Sequence, residues 1–378
     1  MLCIEPRAQP RHTLKQPQLP VTAYFSEALL AAEMSGLFAK RPQYAGHELL
    51  VPQLNDYCAL PHHDNGLSIV RNQAGVEVLS NVCRHRQAII LKGRGNAARL
   101  SCPMHRWTYD MRGTLIAAPR FAQLPCTNPN LERFATERWR GLHFIGATDG
   151  ISEFDQIPSE VAALIDFDAY YFGHMEVHEC GYNWKTFIEF YLEDYHVAPF
   201  HPGLGRFVSC DNLQWSFGKH WSVQTVGFHR GLSNPGDSEV YRAWHQATLA
   251  YYREELPPIA AMWFLSYPNV MIEWYPLVLV VSTICPRGPN QSLNVVEYYH
   301  PHDLLRRDDG ADMASLAARA YLETAIEDNQ IGERMQEGRY ALLKRGTSEV
   351  GPYHSPLENG MEHFHMYLRQ ELDSTGLL

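Results

Sequence analysis

Apolar residues recur at helical intervals across "FSEALLAAEMSGLFAK", residues 25–40, and Ser26 stands where an N-cap belongs, so the pattern predicts a helix. From about Gly46 to Gly150 the texture changes. Short runs such as "LSIV", "VEVLSNV" and "LHFIGA" are broken by Gly, Pro, Asn and Asp, the pattern of a small all-β unit. "YYFGHMEVHECGYNWKTFIEFYLEDYHVAPFHPG" then opens a second region with a strand-like piece running into a helix. Further on, "AMWFLSYPNVMIEWYPLVLVVSTICPRGPNQSLNVVEYYH" is rich in aromatic and β-branched residues with turn breaks, as antiparallel strands are. Residues 311–343 form a long run of strong helix formers. The fold class expected is α+β. An N-terminal helical segment (1–45) packs on the last unit, an all-β domain spans 46–150, and a sheet with a long covering helix spans 151–378.

Composition changes this picture little. A chain of 378 residues with 45% hydrophobic and 20% charged residues suits two soluble domains. The longest apolar run is "PLVLVV", far short of the ~20 residues a membrane helix needs. "MLCIEPRAQPRHTLKQPQLP" has no apolar secretory core, so no membrane association and a cytoplasmic location are expected. The net charge of −10 argues against nucleic acid as a partner. Residues 81–120 invert that balance, with eight Arg or Lys against Asp110 alone. Two readings stand: a solvated basic face, or a docking surface for an acidic redox partner.

Six of the eight cysteines (Cys3, Cys58, Cys126, Cys180, Cys210, Cys285) are scattered and read as thiols in a reducing compartment. Cys83 and Cys102 differ. In "NVCRHRQAIILKGRGNAARLSCPMHRWTYD", Cys83-x-His85 is followed after sixteen residues by Cys102-x-x-His105. Zinc is one candidate. The other is a Rieske [2Fe–2S] cluster, where two cysteines hold one iron and two histidines the other, so each loop supplies one ligand of each kind.

A second constellation holds Glu193, Asp194, His196 and His201. Glu193 and His196 are i, i+3 and share a helix face, whereas His201 would turn away on a continuing helix. Pro199 and Pro202 end the helix and let His201 swing back beside His196. Two histidines and a carboxylate make the facial triad of non-haem Fe(II) oxygenases; the plainer reading is a polar helix end with incidental histidines. On the long helix, Asp328 shares its face with Tyr321, Ala325, Gly332 and Met335. Burial of a charge is tolerated when it binds metal, so Asp328 is the third ligand expected, and Glu327, beside Glu323 and Arg334, is expected in solvent.

These residues together resemble the alpha, or oxygenase, component of Rieske non-haem iron oxygenases. That family's C-x-H-(about sixteen)-C-x-x-H is matched by the two Cys/His pairs. Its N-W-K followed by D/E-x-x-H-x-x-x-x-H is matched by Asn183-Trp184-Lys185, Glu193, His196 and His201. Its D-x-x-x-x-E-x-x-Q-x-G is matched by Asp328, Glu333, Gln336 and Gly338. Two positions depart from it: Gln87 replaces a loop glycine, and Phe190 stands where many relatives carry asparagine. "LFAKRPQYAGHELLVPQLNDY", "PNVMI" and "GPYHSPLENGMEHFHMYL" extend the likeness over nearly the whole chain.

The resemblance implies a Rieske domain at 46–150 and a helix-grip catalytic domain at 151–378. Cys83 and Cys102 would ligate the buried iron of the cluster, His85 and His105 the outer one. His196, His201 and Asp328 would hold a mononuclear Fe(II). Glu193, with Asp194 as the alternative, would bridge a cluster histidine of one subunit to His196 of its neighbour, in a homotrimer or a multiple of one. Electrons would come from an NAD(P)H-dependent reductase, a ferredoxin or both, and O2 would hydroxylate or dealkylate a small organic substrate. A glutamate at position 193 leans toward the carnitine, choline and betaine branch. Trp263, Phe264, Tyr267, Trp274 and Tyr275 would stack on an aromatic ring, cage a quaternary amine, or simply fill the core. The competing function class is an electron carrier or scaffold without turnover.

Overall fold

Hairpins build the β domain. A five-stranded antiparallel sheet is centred on Asp56–Ala59, Leu67–Asn72 and Gly75–Ser80. Leu100–Ser101, Thr108–Tyr109 and Leu115–Ala117 form a smaller sheet. Pro42–His47 pairs with Leu142–Gly146, which ties the two ends of the domain together. The structure is a computed structural model that describes residues 18–124, 128–146 and 148–378. Cys3, Cys126 and the basic N-terminal stretch lie outside the described residues. Cys58, Cys180, Cys210 and Cys285 are free thiols.

The second domain is a seven-stranded antiparallel sheet: β1 (Tyr170–Cys180), β2 (Val208–Phe217), β3 (Trp221–Phe228), β4 (Ala261–Ser266), β5 (Val270–Tyr275), β6 (Val278–Gly288) and β7 (Gln291–Pro301). Spatial order is β1-β7-β6-β5-β4-β3-β2, a meander whose first strand closes onto its last. Both faces are covered, so β4 and β5 are buried at every position instead of alternating. One face carries Met262, Phe264, Ile272 and Trp274 against Tyr44, Phe144 and Phe154 of the segment before β1. The other carries Trp263 and Tyr275 and is covered by helices.

Those helices are α1 (Glu27–Gly36), α2 (Trp184–Tyr191), α3 (Glu239–Tyr251), α4 (Gly310–Arg345) and α5 (Asn359–Leu372). Ser26 Oγ accepts from Leu29 N at 3.1 Å, a cap contributing about 1 kcal/mol. α1 stops at Gly36, short of residue 40, and a 3-10 turn at Phe38–Lys40 follows. Tyr24, Leu29 and Leu37 pack with Trp184, Phe364 and Leu368, so the N-terminal segment shares the core of the second domain. α4 has 36 residues and a small-residue stripe, Ala314, Ala317 and Ala318, buried at its start. At 1.5 Å per residue it is about 54 Å long. Among the described residues no helix is long and apolar enough to cross a membrane.

Candidate active site

The Asn-Trp-Lys motif is an anchor for α2. Asn183 Oδ1 accepts from Lys185 N at 3.0 Å as the N-cap, while Asn183 Nδ2 donates to the Tyr24 and Pro289 carbonyls. Trp184 Nε1 and Lys185 Nζ both donate to the buried Glu33 of α1, at 2.8 and 2.6 Å. Asn183 N also meets Gln336 Oε1 of α4, so two of the motifs found in the sequence touch.

α2 ends at Tyr191, two residues before Glu193, so Glu193 and His196 do not share a helix face. A turn brings them together instead. Glu193 Oε2 accepts from the backbone of Tyr195 at 2.8 Å and His196 at 3.2 Å, and its Oε1 lies 2.5 Å from His196 Nδ1. Pro199 does not end the helix either. It sits inside the single turn Val197–Phe200, where the first-turn N–H it lacks has no partner to lose. His201 follows with φ −98 and ψ 95, the extended geometry that a residue before proline prefers.

His196 Nε2 and His201 Nε2 then face each other at 3.1 Å. Asp328 Oδ1 from α4 lies 3.4 Å from the first and 3.0 Å from the second. His201 Nδ1 is 2.7 Å from Glu327 Oε2, so Glu327 is not in solvent as the helix-face pattern suggested. Its flexible stem carries the carboxylate around the helix to the imidazole. With each Nδ1–H held by a carboxylate, both Nε2 lone pairs converge on the buried Asp328 Oδ1, which has no hydrogen bond of its own. Three converging acceptors fit a cation, and these three residues form a metal-sized cluster. Burial alone would lower the His196 pKa, yet the neighbouring carboxylates of Asp328 and Glu193 push it up to about 10, so the site favours positive charge there. Asp194, the alternative to Glu193, is buried with its pKa raised to about 7 by desolvation; the imidazole of His196 is held by Glu193.

Glu327 is one residue at this site that the sequence pattern missed. A ligating imidazole loses orientation and basicity when its outer partner is removed. Glu327→Ala is expected to weaken the site for Fe(II) by about 10- to 100-fold, read by competition with a chelator, with the cluster spectrum unchanged.

A cavity of about 440 Å³ opens beside the triad, with Phe190, Trp263, Glu273, Tyr275 and Tyr321 among its walls. Of the five sheet aromatics, Trp263 and Tyr275 line it. Phe264 and Trp274 are on the opposite face, and Tyr267 packs with Phe364 and Tyr367 of α5. Glu273 is the other residue missed. Burial raises its pKa to about 7, against hydrogen bonds from Tyr321 and Tyr275 that lower it.

The Cys/His pairs sit on twin loops of the β domain. Cys83 N donates to Ala88 O at 2.9 Å and Gln87 N to Cys83 O at 3.1 Å; Cys102 N donates to Trp107 O at 2.8 Å and Arg106 N to Cys102 O at 3.1 Å. Both thiols are buried, and the His85 and His105 rings lie 4.6 Å apart. Tyr109 Oη accepts from Arg84 N and lies 3.5 Å from Cys83 Sγ, which fixes the first loop. This donor set, two buried thiols below two adjacent imidazoles, fits a [2Fe–2S] cluster. Gln87 has φ 54 and Arg106 φ 59, the left-handed conformation that makes glycine the family's residue in the first loop. Gln87 is exposed. Gln87→Gly is expected to stabilise the loop by up to ~1 kcal/mol, seen as a higher midpoint for bleaching of the cluster on heating.

Two family models match the chain: the Rieske [2Fe-2S] domain over residues 47–128 and the ring hydroxylating alpha subunit catalytic domain over residues 167–374. The chain belongs to the Rieske oxygenase alpha-subunit family. This oxygenase is therefore an oxidoreductase with a [2Fe–2S] cluster and a mononuclear iron, which sets aside zinc and a mere carrier. It uses O2, an electron-transfer partner and a small-molecule substrate. Over 94% of its length the oxygenase is 53% identical to putrescine 2-hydroxylase of Ralstonia nicotianae, covering 96% of that protein. It is 48% identical to putrescine 2-hydroxylase of Bordetella bronchiseptica over 95% of its length and 85% of the relative's. A crystal structure of the quaternary ammonium Rieske monooxygenase CntA superposes with a TM-score of 0.75, covering 94% of the oxygenase and 95% of that chain at 20% identity. That likeness shows the fold, a Rieske domain joined to a helix-grip domain.

Proposed function

We propose that this oxygenase hydroxylates a small aliphatic amine, with putrescine the first candidate. The charge of the cavity wall carries this reading. Glu179, Glu193, Asp194, Glu273 and Asp328 line it, and no Lys or Arg does among the described residues. Such a wall concentrates cations and repels carboxylates, which disfavours aromatic acids. The end-to-end identity to two putrescine hydroxylases points the same way.

In this reading His196, His201 and Asp328 hold the mononuclear iron, and Cys83, His85, Cys102 and His105 hold the cluster. The iron, when bound, supplies the activation of O2. Glu193 and Glu327 orient the two imidazoles, and the aromatic walls exclude water from the reacting carbon. Within one chain the catalytic sheet stands between the triad cavity and the segments that seat the β domain, Tyr44 and Phe144. This favours electron delivery from the cluster of a neighbouring subunit, with Glu193 as the bridge to His196, in a trimer or a multiple of one. The exposed Arg84, Arg86 and Arg106 around the cluster loops suit an acidic reductase or ferredoxin.

Substrate-dependent O2 uptake with NADH and a reductase tests the substrate class. Putrescine is expected to stimulate uptake and to gain one oxygen atom, whereas benzoate gives neither. Stimulation by benzoate with none by putrescine would overturn the proposal.

A further inference from the structure

Glu273 lines the same cavity as the triad, and its assignment rests on the amine reading above. We propose that Glu273, with Tyr275 and Tyr321, binds the second, non-reacting ammonium of an α,ω-diamine.

Glu273 lies on β5, 4% exposed, on the cavity side of the sheet. Its Oε1 accepts from Tyr321 Oη at 2.7 Å and its Oε2 from Tyr275 Oη at 3.3 Å. Tyr275 Oη in turn accepts from Trp263 Nε1 at 2.5 Å. Every donor to this carboxylate is neutral, and two donors leave about half of its roughly four lone-pair sites unfilled. Other deeply buried carboxylates are matched by charge: Glu33 by Lys185, and Glu189 by Arg339 and His365. Glu297 also has only tyrosine partners, Tyr44 and Tyr299, but it does not line the cavity. Asp194 lines the cavity beside His196 and belongs to the metal end.

A buried carboxylate without a cation is costly unless a ligand brings one. Here the ligand enters through the cavity. A primary ammonium supplies three N–H donors for the open lone pairs, and the rings of Trp263 and Tyr275 favour its charge. A quaternary ammonium has no N–H and leaves Glu273 unfilled. Glu273 and the triad residues His196, His201 and Asp328 line one cavity of about 440 Å³, so one small molecule can address both. One amine end then rests near the triad and the other is fixed at Glu273, which sets the carbon presented for attack.

The test compares putrescine with butylamine, which lacks the second ammonium, on the iron-loaded oxygenase and its Glu273→Gln variant. The wild type is expected to favour putrescine. In Glu273→Gln the ratio of the two kcat/KM values should fall by about 10- to 100-fold, the scale of one charge-assisted hydrogen bond. Iron content and cluster spectrum report whether the variant is intact. An unchanged ratio, or equal losses for both amines, would overturn the subsite while the amine reading stands. Equal wild-type affinity for the two amines overturns it without any variant. If the wild type oxidises neither amine, the amine reading falls and takes the subsite with it.

Discussion

Asp328→Ala oxygenase is expected to fold, to keep the colour and spectrum of its cluster, and to lose substrate-dependent O2 uptake. Asp328 Oδ1 has no partners except the two imidazoles, and alanine suits the helix that carries it. Fold stability therefore loses little, but the converging triad becomes two neutral nitrogens. Iron content should fall from about three to about two per chain, the two being those of the cluster. Turnover should drop by more than about 100-fold, since loss of even an outer partner of a ligand brings a change of that order. Full iron content with normal turnover in this variant would refute the assignment of Asp328.

Glu193→Gln separates orientation from coupling. Glutamine has one accepting oxygen in place of two, so with that oxygen on His196 Nδ1–H the imidazole keeps its partner and both metals should be retained, while the turn gives up its side-chain hydrogen bonds from Tyr195 N and His196 N. What is lost is the charge that would link His196 to a cluster histidine of a neighbouring subunit. Reduction of the cluster by the donor should be unchanged, while product formed per second falls by about 100-fold or more. Wild-type turnover in Glu193→Gln would leave Glu193 as an orienting group only. The same assay on Glu193→Ala then shows whether even that role matters.

Much of the site was legible because ligands must be of fixed residue types at short, fixed spacings. Cys83-x-His85, Cys102-x-x-His105 and His196-x-x-x-x-His201 are local in the chain, and Ser26 and Asn183 mark helix starts by side-chain chemistry that is also local. The misreadings have local and long-range causes. α2 stops early because the Glu193 carboxylate binds backbone N–H groups of the following turn, which competes with helix. Glu327 was misplaced because a helix-face pattern treats side chains as radial, whereas a glutamate stem can swing to His201. Glu273 was hidden in "VMIEWY" because β5 is buried on both faces, so no alternation marks which side chains meet the cavity. The same ambiguity concealed that Trp263 and Tyr275 line it while Phe264 and Trp274 do not.

The most direct measurement is a single turnover. Oxygenase with its cluster reduced beforehand is mixed with O2, with and without putrescine, while cluster reoxidation is followed optically and the amine products are analysed. Reoxidation accelerated by the amine, with hydroxylated amine formed in proportion to the electrons released, is the predicted result. Reoxidation at the same rate with and without amine, and no oxygenated product, would contradict the claim that this cluster serves an amine-hydroxylating centre.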